Sequence, residues 1–279
     1  MPEPERLSSQ AHWDQVHDGG RRSSGRARYL AAVLGQDRYT YLYEGGYAAY
    51  FEREVLVAPH VRRGARILEV GSAPGLHLAK LARRLGLDPW GMDYSPEGVA
   101  ANQATFARFG FDPGQVILGD FFDDDFLDQH RAGFDVVISR GFIEHFRDVR
   151  SVIARHVALV RPGGLLVVSI PNLSGINRRL CEFFHPAILD AHNLDIMNLD
   201  AYAELFTGQG LTQLHCGYVG VFQSGLQTTP PGSPRRYLLA AARLLQPPLE
   251  LLQRRLFPTA SPQLAGVSPY LIYAGRVDP

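Results

Sequence analysis

Residues 66–86 read RILEVGSAPGLHLAKLARRLG, and this stretch decides the fold. Ile67-Leu68-Glu69-Val70 is an apolar strand that runs into Gly71-Ser72-Ala73-Pro74-Gly75. A helical pattern follows, with Leu76, Leu78, Leu81, Ala82 and Leu85 on one side. Glycine at a strand-to-helix turn lets backbone approach a ligand beside the positive end of the helix dipole. A dinucleotide site would hold pyrophosphate there with G-x-G-x-x-G spacing. Here the spacing is Glu69-x-Gly71-x-Ala73-x-Gly75, and a carboxylate at the strand end would repel a dianion. Glu69 suits a positively charged ligand, an ammonium or a sulfonium.

Outward from this turn, strand and helix alternate. Strands are expected at 66–70, 88–93, 115–119, 134–139 and 164–170, with helices at 76–86, 95–109 and 149–160. A helix around 199–209, a strand around 211–222 and a last strand at 269–277 follow. Alternation of this kind predicts a doubly wound α/β domain with a mostly parallel sheet. FDVVIS and GLLVVSI are near-continuous apolar runs, as strands buried on both faces require.

Four segments are expected: a helical amino-terminal cap (1–60), a core (61–222), a proline-rich helical insertion (223–266) and a last core strand (267–279). The cap holds six tyrosines between Tyr29 and Tyr50. They either pack on the sheet or, Tyr43 among them, line a pocket. The insertion contains RRYLLAAARLLQPPLELLQRRLF, read as two amphipathic helices broken by Pro247-Pro248. A dimer surface, a lid over an apolar substrate and a weak membrane contact are all compatible with it.

Composition narrows the function. Basic and acidic residues balance at 28 each, so no general charge draws the chain to nucleic acid. Lys80 is the single lysine, which excludes any mechanism needing two. Cys181 and Cys216 are too few for a disulfide framework or a thiolate metal site, and a cytoplasmic setting is expected. No apolar run reaches the length of a membrane span.

The chain resembles class I S-adenosylmethionine-dependent methyltransferases of the small-molecule type, across roughly residues 60 to 220. EVGSAPG matches the family's acidic residue and glycine-rich turn after the first strand. Asp93 in WGMDYS matches the acid that holds the ribose hydroxyls, and Asp120 in VILGDFF the acid at the adenine amino group. Phe121 is then placed to touch the ring. RPGGLLVVSIPN matches the turn into strand five. The resemblance implies a Rossmann-like seven-stranded sheet with an antiparallel last strand. It also implies S-adenosylmethionine as cofactor, S-adenosylhomocysteine as product, and a cofactor site of Glu69, Gly71, Ser72, Ala73, Gly75, Asp93, Tyr94, Asp120, Phe121 and Arg140. Taken alone, Asp93 and Asp120 could equally be helix caps or turn formers.

Two departures sharpen the likeness. Ala73 replaces the middle glycine, as in RNA 2′-O-ribose methyltransferases, but their catalytic set needs two lysines and this chain has one. SRGF after strand four stands where amino-methyltransferases of nucleic acid bases have [DN]-P-P-[YF]. The acceptor is therefore expected to be a small molecule; the aromatic-rich cap and apolar insertion favour an apolar or aromatic one, methylated first on oxygen and otherwise on nitrogen or carbon. His145 in GFIEHF is the expected base, or else a residue packing the next helix with Glu144. Some ubiquinone-pathway O-methyltransferases bind metal through E-x-x-E-H; Gly141 replaces the first acid here, and no metal is expected. His185 and His192 lie where acceptor pockets are shaped, though Pro186 interrupts a helix carrying both. A homodimer is compatible with the insertion, and a catalytically inactive cofactor-binding subunit is the alternative of another class.

Overall fold

The computed structural model describes residues 5–8, 33–34, 42, 51, 61–221, 223–257 and 261–279. The expected amino-terminal cap lies almost wholly outside the described residues. The first three strands are β1 (Arg66–Val70), β2 (Asp88–Asp93) and β3 (Val116–Leu118). They are followed by β4 (Phe134–Arg140), β5 (Val160–Pro171), β6 (Leu211–Val219) and β7 (Tyr270–Val277). The sheet has seven strands in the order β3-β2-β1-β4-β5-β7-β6. Strands β1 to β5 pair in parallel, and β7 runs antiparallel between β5 and β6. The expected sheet and its antiparallel last strand are both present.

Alternation along each strand builds two cores. Leu68, Val70, Val137, Leu166 and Val168 face one side, and Ile67, Val136, Ile138, Leu165 and Val167 the other. Helices α1 (Leu76–Leu85) and α2 (Pro96–Phe109) cover the second side through Leu78, Leu81, Val99 and Phe106. Helices α3 (Asp124–His130) and α4 (Val149–Leu159) cover the first through Phe126, Val152 and Ile153. Both faces are sealed, which is why the strands read as continuous apolar runs. Strand order reverses between β1 and β4, the position where open α/β sheets open a crevice at their carboxyl ends.

Helices α5 (Gly175–Phe184), α6 (Ala187–Asp190) and α7 (Leu199–Glu204) follow β5. Pro186 separates α5 from α6, so the expected interruption is present. In the insertion, α8 (Arg235–Ala242) and α9 (Gln246–Leu256) are joined by a tight 3₁₀ turn at Arg243–Leu245. The break therefore precedes Pro247-Pro248, which begin α9 instead of splitting it. Proline suits that place because the first helical N–H groups have no intrahelical acceptor. Strand β5 starts earlier than the expected 164, because Val160 already pairs with Phe134 before the register shifts to Val136 and Leu165.

Candidate functional site

The turn after β1 is built by close contact. Gly75 sits at φ +75° just before α1, and a Cβ there would lie 1.8 Å from Asn102 Oδ1. Asn102, on α2, donates through Nδ2 to Ser72 Oγ at 2.5 Å, and Ser72 Oγ reaches the Met92 carbonyl at 3.3 Å. Ser72 and Gly75 thus shape the turn from behind. They do not line the cleft, while Gly71 and Ala73 do.

The cleft lies at the carboxyl ends of β1, β2, β3 and β4. It is a concave, open-mouthed cleft, the place where ligand sites form on sheets of this kind. Val70, Gly71, Ala73, Asp93, Tyr94 and Asp120 contribute to its wall, as do Phe121, Arg140, Phe142 and His145. Of the expected cofactor residues, Gly71, Ala73, Asp93, Tyr94, Asp120, Phe121 and Arg140 therefore meet at one place.

The three acids have different surroundings. Glu69 is buried, and its Oε1 accepts from Arg140 Nε at 2.8 Å and Nη2 at 2.7 Å. Its Oε2 is buried with no hydrogen-bond partner. Burial raises the Glu69 pKa, opposed by the Arg140 charge and its hydrogen bond. Asp93 accepts from the backbone N–H of Ala73 at 3.2 Å and of Ser95 at 3.0 Å. It is a turn former as well as a wall of the cleft, and each carboxylate oxygen has a second lone pair. Ser95, not Asp93, caps α2. Asp120 accepts from the Phe122 N–H at 2.9 Å and from Arg6 Nη2 at 2.7 and 2.6 Å.

Arg6 is the residue that sequence reasoning missed. Its segment pairs with the loop after β4: the Leu7 N–H donates to the His145 carbonyl and the Arg147 N–H to the Glu5 carbonyl. The guanidinium lies 5.1 Å from the Tyr94 ring centre and 5.2 Å from that of Phe122. Nothing local in PEPERL signals a partner 114 residues away. Arg155, also missed, is a buried cation on α4. It donates to the Phe121 and Asp123 carbonyls and to Asp124 Oδ1, and so holds the loop carrying Asp120 and Phe121.

On the other flank, a 3₁₀ turn at Ile143–His145 brings Glu144 and His145 together. His145 is buried, and its Nδ1 donates to the Ala191 carbonyl at 2.7 Å, so Nε2 carries the basic lone pair. The His192 ring lies 4.5 Å from it, centre to centre, and His192 Nδ1 donates to the Ile188 carbonyl. His185 stands apart from this pair and bonds Thr228 Oγ1 at 2.9 Å. Neither His185 nor His192 lines the cleft, and Tyr43 lies outside the described residues. Both oxygens of Glu144 are buried with no hydrogen-bond partner, and burial pushes its pKa up to about 8. Among the described residues, Glu144, His145 and His192 form the group able to hold a cation, their ligand atoms lying within 4.8 Å of one another.

A family model for the methyltransferase domain matches residues 43–215, more than half of the chain. The chain belongs to the methyltransferase-domain family. This methyltransferase domain is 33% identical over 127 residues to a ubiquinone biosynthesis O-methyltransferase from Cereibacter sphaeroides, covering 45% of this chain and 48% of that protein. The matched region spans less than half the length of the curated relatives. Among solved structures, it is similar to geranyl diphosphate C-methyltransferase from Streptomyces coelicolor, with a TM-score of 0.55 at 12% identity over 82% of this chain and 78% of that one. It is also similar to Haemonchus contortus phosphoethanolamine N-methyltransferase 2 in complex with S-adenosyl-L-methionine, at a TM-score of 0.53 and 16% identity. That likeness covers 90% of this chain and 60% of the other. At these identities the structures share a fold, and the two are named for N- and C-methyl transfer.

Proposed function

We propose that this methyltransferase moves a methyl group from S-adenosylmethionine to a small apolar or aromatic acceptor, with oxygen as the receiving atom. The observation that carries the reading is the convergence of Asp93, Asp120, Arg140 and His145 on one cleft at the switch point of the sheet. The cofactor fits the donors present. Asp93 would take the ribose hydroxyls and Asp120 the adenine amino group, with Phe121 and Tyr94 beside the base. Glu69, buried behind the cleft wall with its Oε2 unbonded, would accept from the ammonium, and Arg140, in the wall, would pair with the carboxylate of the same amino-acid end.

When bound, the sulfonium supplies an electrophilic methyl group. The chain then has to align the acceptor and remove its proton. His145 holds its own proton on Nδ1 against the Ala191 carbonyl, which leaves Nε2 to take the hydroxyl proton. His145→Ala is expected to lower turnover about 10²-fold or more, the usual worth of a positioned base, with cofactor affinity unchanged. Undiminished turnover removes His145 as the base. Cofactor binding without turnover on any acceptor supports the inactive subunit instead.

A second reading rests on Glu144, buried without a hydrogen bond, with His145 Nε2 3.9 Å from its Oε1 and His192 nearby. A divalent cation held there would acidify the acceptor hydroxyl in place of a base. Activity lost to a chelator and restored by added divalent ion supports the cation; activity indifferent to chelation supports the base. The free Cys181 and Cys216 support a cytoplasmic setting. Within the same reading, 61–222 with 267–279 is the catalytic core and 223–266 an accessory element.

A further inference from the structure

Helix α9 is built inside out. Its buried residues are Gln246, Glu250 and Gln253, which face the protein. Gln246 Nε2 donates to Glu250 Oε1 and to Gln223 Oε1, both at 3.0 Å, and Gln253 Oε1 accepts from the Val221 N–H at 3.0 Å. The leucines point the other way. Leu245, Leu249, Leu252 and Leu256 are 59, 37, 51 and 61% exposed. Their spacing of four, three and four residues puts them in one stripe. Leu238 and Tyr237 on α8 are exposed as well, and so are Ile176 and Phe183 on α5. Arg235 joins the two parts: its guanidinium lies 4.6 Å from the Phe183 ring centre and donates to the Phe183 carbonyl.

The charge on this face is mostly positive, since the exposed Glu182 on α5 is paired with Arg178 at 3.0 Å. Residues 235–257 carry five arginines and one carboxylate, Glu250, which is buried, although the whole chain balances at 28 against 28. Three occupants would cover exposed leucines. A lid over the acceptor is disfavoured, because none of the described residues of 223–266 lines the cleft. A second copy is disfavoured as well, because a two-fold contact would bring this arginine-rich face against itself. An anionic bilayer matches both features, since leucines enter the acyl boundary while arginines meet the phosphates.

We propose that α8 and α9, with the outer face of α5, form a monotopic docking surface for an anionic lipid bilayer. Arg235, Arg236, Arg243 and Arg255 lie in the headgroup layer, and the leucine stripe dips below it. The surface neither spans the bilayer nor depends on the cofactor cleft being occupied.

The full chain is tested by co-sedimentation with vesicles of equal phosphatidylglycerol and phosphatidylcholine, and with phosphatidylcholine alone. At least tenfold more protein is expected on the anionic vesicles, with most of the excess lost when salt shortens the Debye length to about 3 Å at 1 M. The double variant Leu252→Glu/Leu256→Glu alters only exposed side chains and is expected to lose vesicle binding at an unchanged melting temperature. Arg235→Glu/Arg236→Glu is expected to lose the preference for anionic vesicles. Absence of binding to anionic vesicles, or equal binding by the leucine variant, overturns the proposal. A concentration-dependent dimer abolished by Leu252→Glu/Leu256→Glu overturns it in favour of a second copy.

Discussion

Helices α1 and α9 are both amphipathic and nearly equal in length, yet they sit on the protein in opposite senses. α1 turns Leu78, Ala79, Leu81 and Ala82 into the core and leaves Arg83 and Arg84 outside. α9 turns Gln246, Glu250 and Gln253 inward and leaves its leucines outside. Periodicity reveals that a helix has two faces, but the partner decides which face is inside. For α1 the partner is the sheet, whereas the leucines of α9 are exposed and the proposed bilayer would cover them.

The comparison is easiest to break with core truncations. Leu78→Ala on α1 is expected to lower unfolding stability by about 2–5 kcal/mol, read from the urea midpoint. Stability within experimental error of the parent would mean that α1 does not hold the core. The next effect concerns His156 on α4, which is buried against the rings of Phe121 and Phe142. Burial holds its pKa at about 4, below the usual 6.5, although the hydrogen bond to the Val152 carbonyl opposes the shift. The unfolded chain then binds the proton more tightly between those values. This contribution is complete above about pH 6.5 and is lost as pH falls toward 4, by up to about 3 kcal/mol. His156→Leu should flatten the acid limb of a stability-against-pH curve, and an unchanged limb would put the acid sensitivity elsewhere.

Smaller effects belong to α9. Gln253→Ala removes the acceptor of the partly buried Val221 N–H and is expected to cost about 1 kcal/mol. Leu252→Ala on the opposite face should stay within about 0.5 kcal/mol of the parent. If the leucine proves the costlier of the two, the helix is held by its apolar face and the inside-out description fails.

Legibility in the sequence followed the same divide. Glu69, Gly71, Asp93 and Asp120 stood at predictable places because strand ends and turn glycines are local features. The central strands β1, β4 and β5 were legible because both faces of the sheet are covered there. Helix α3 was not expected, since DDFLDQH is short and buries only Phe126. Arg6 and Arg155 could not be found, because their partners are made by the fold: Arg6 reaches Asp120, and Arg155 reaches the Phe121 carbonyl 34 residues away. His192 was expected near the acceptor for its position after β5, but its pairing with His145 depends on the Pro186 break and the turn that follows. Ser72 and Gly75 were expected to touch the cofactor. The packing of Asn102 against both shows why those residue types are needed one step behind it.

The central claim is that the cleft after EVGSAPG receives a sulfonium-derived nucleoside and not a dinucleotide. Calorimetric titration of the unaltered chain with S-adenosylhomocysteine, and separately with NAD, tests it most directly. The account predicts saturable one-to-one binding of S-adenosylhomocysteine and no heat with NAD. Binding of NAD, or of neither ligand, would contradict it.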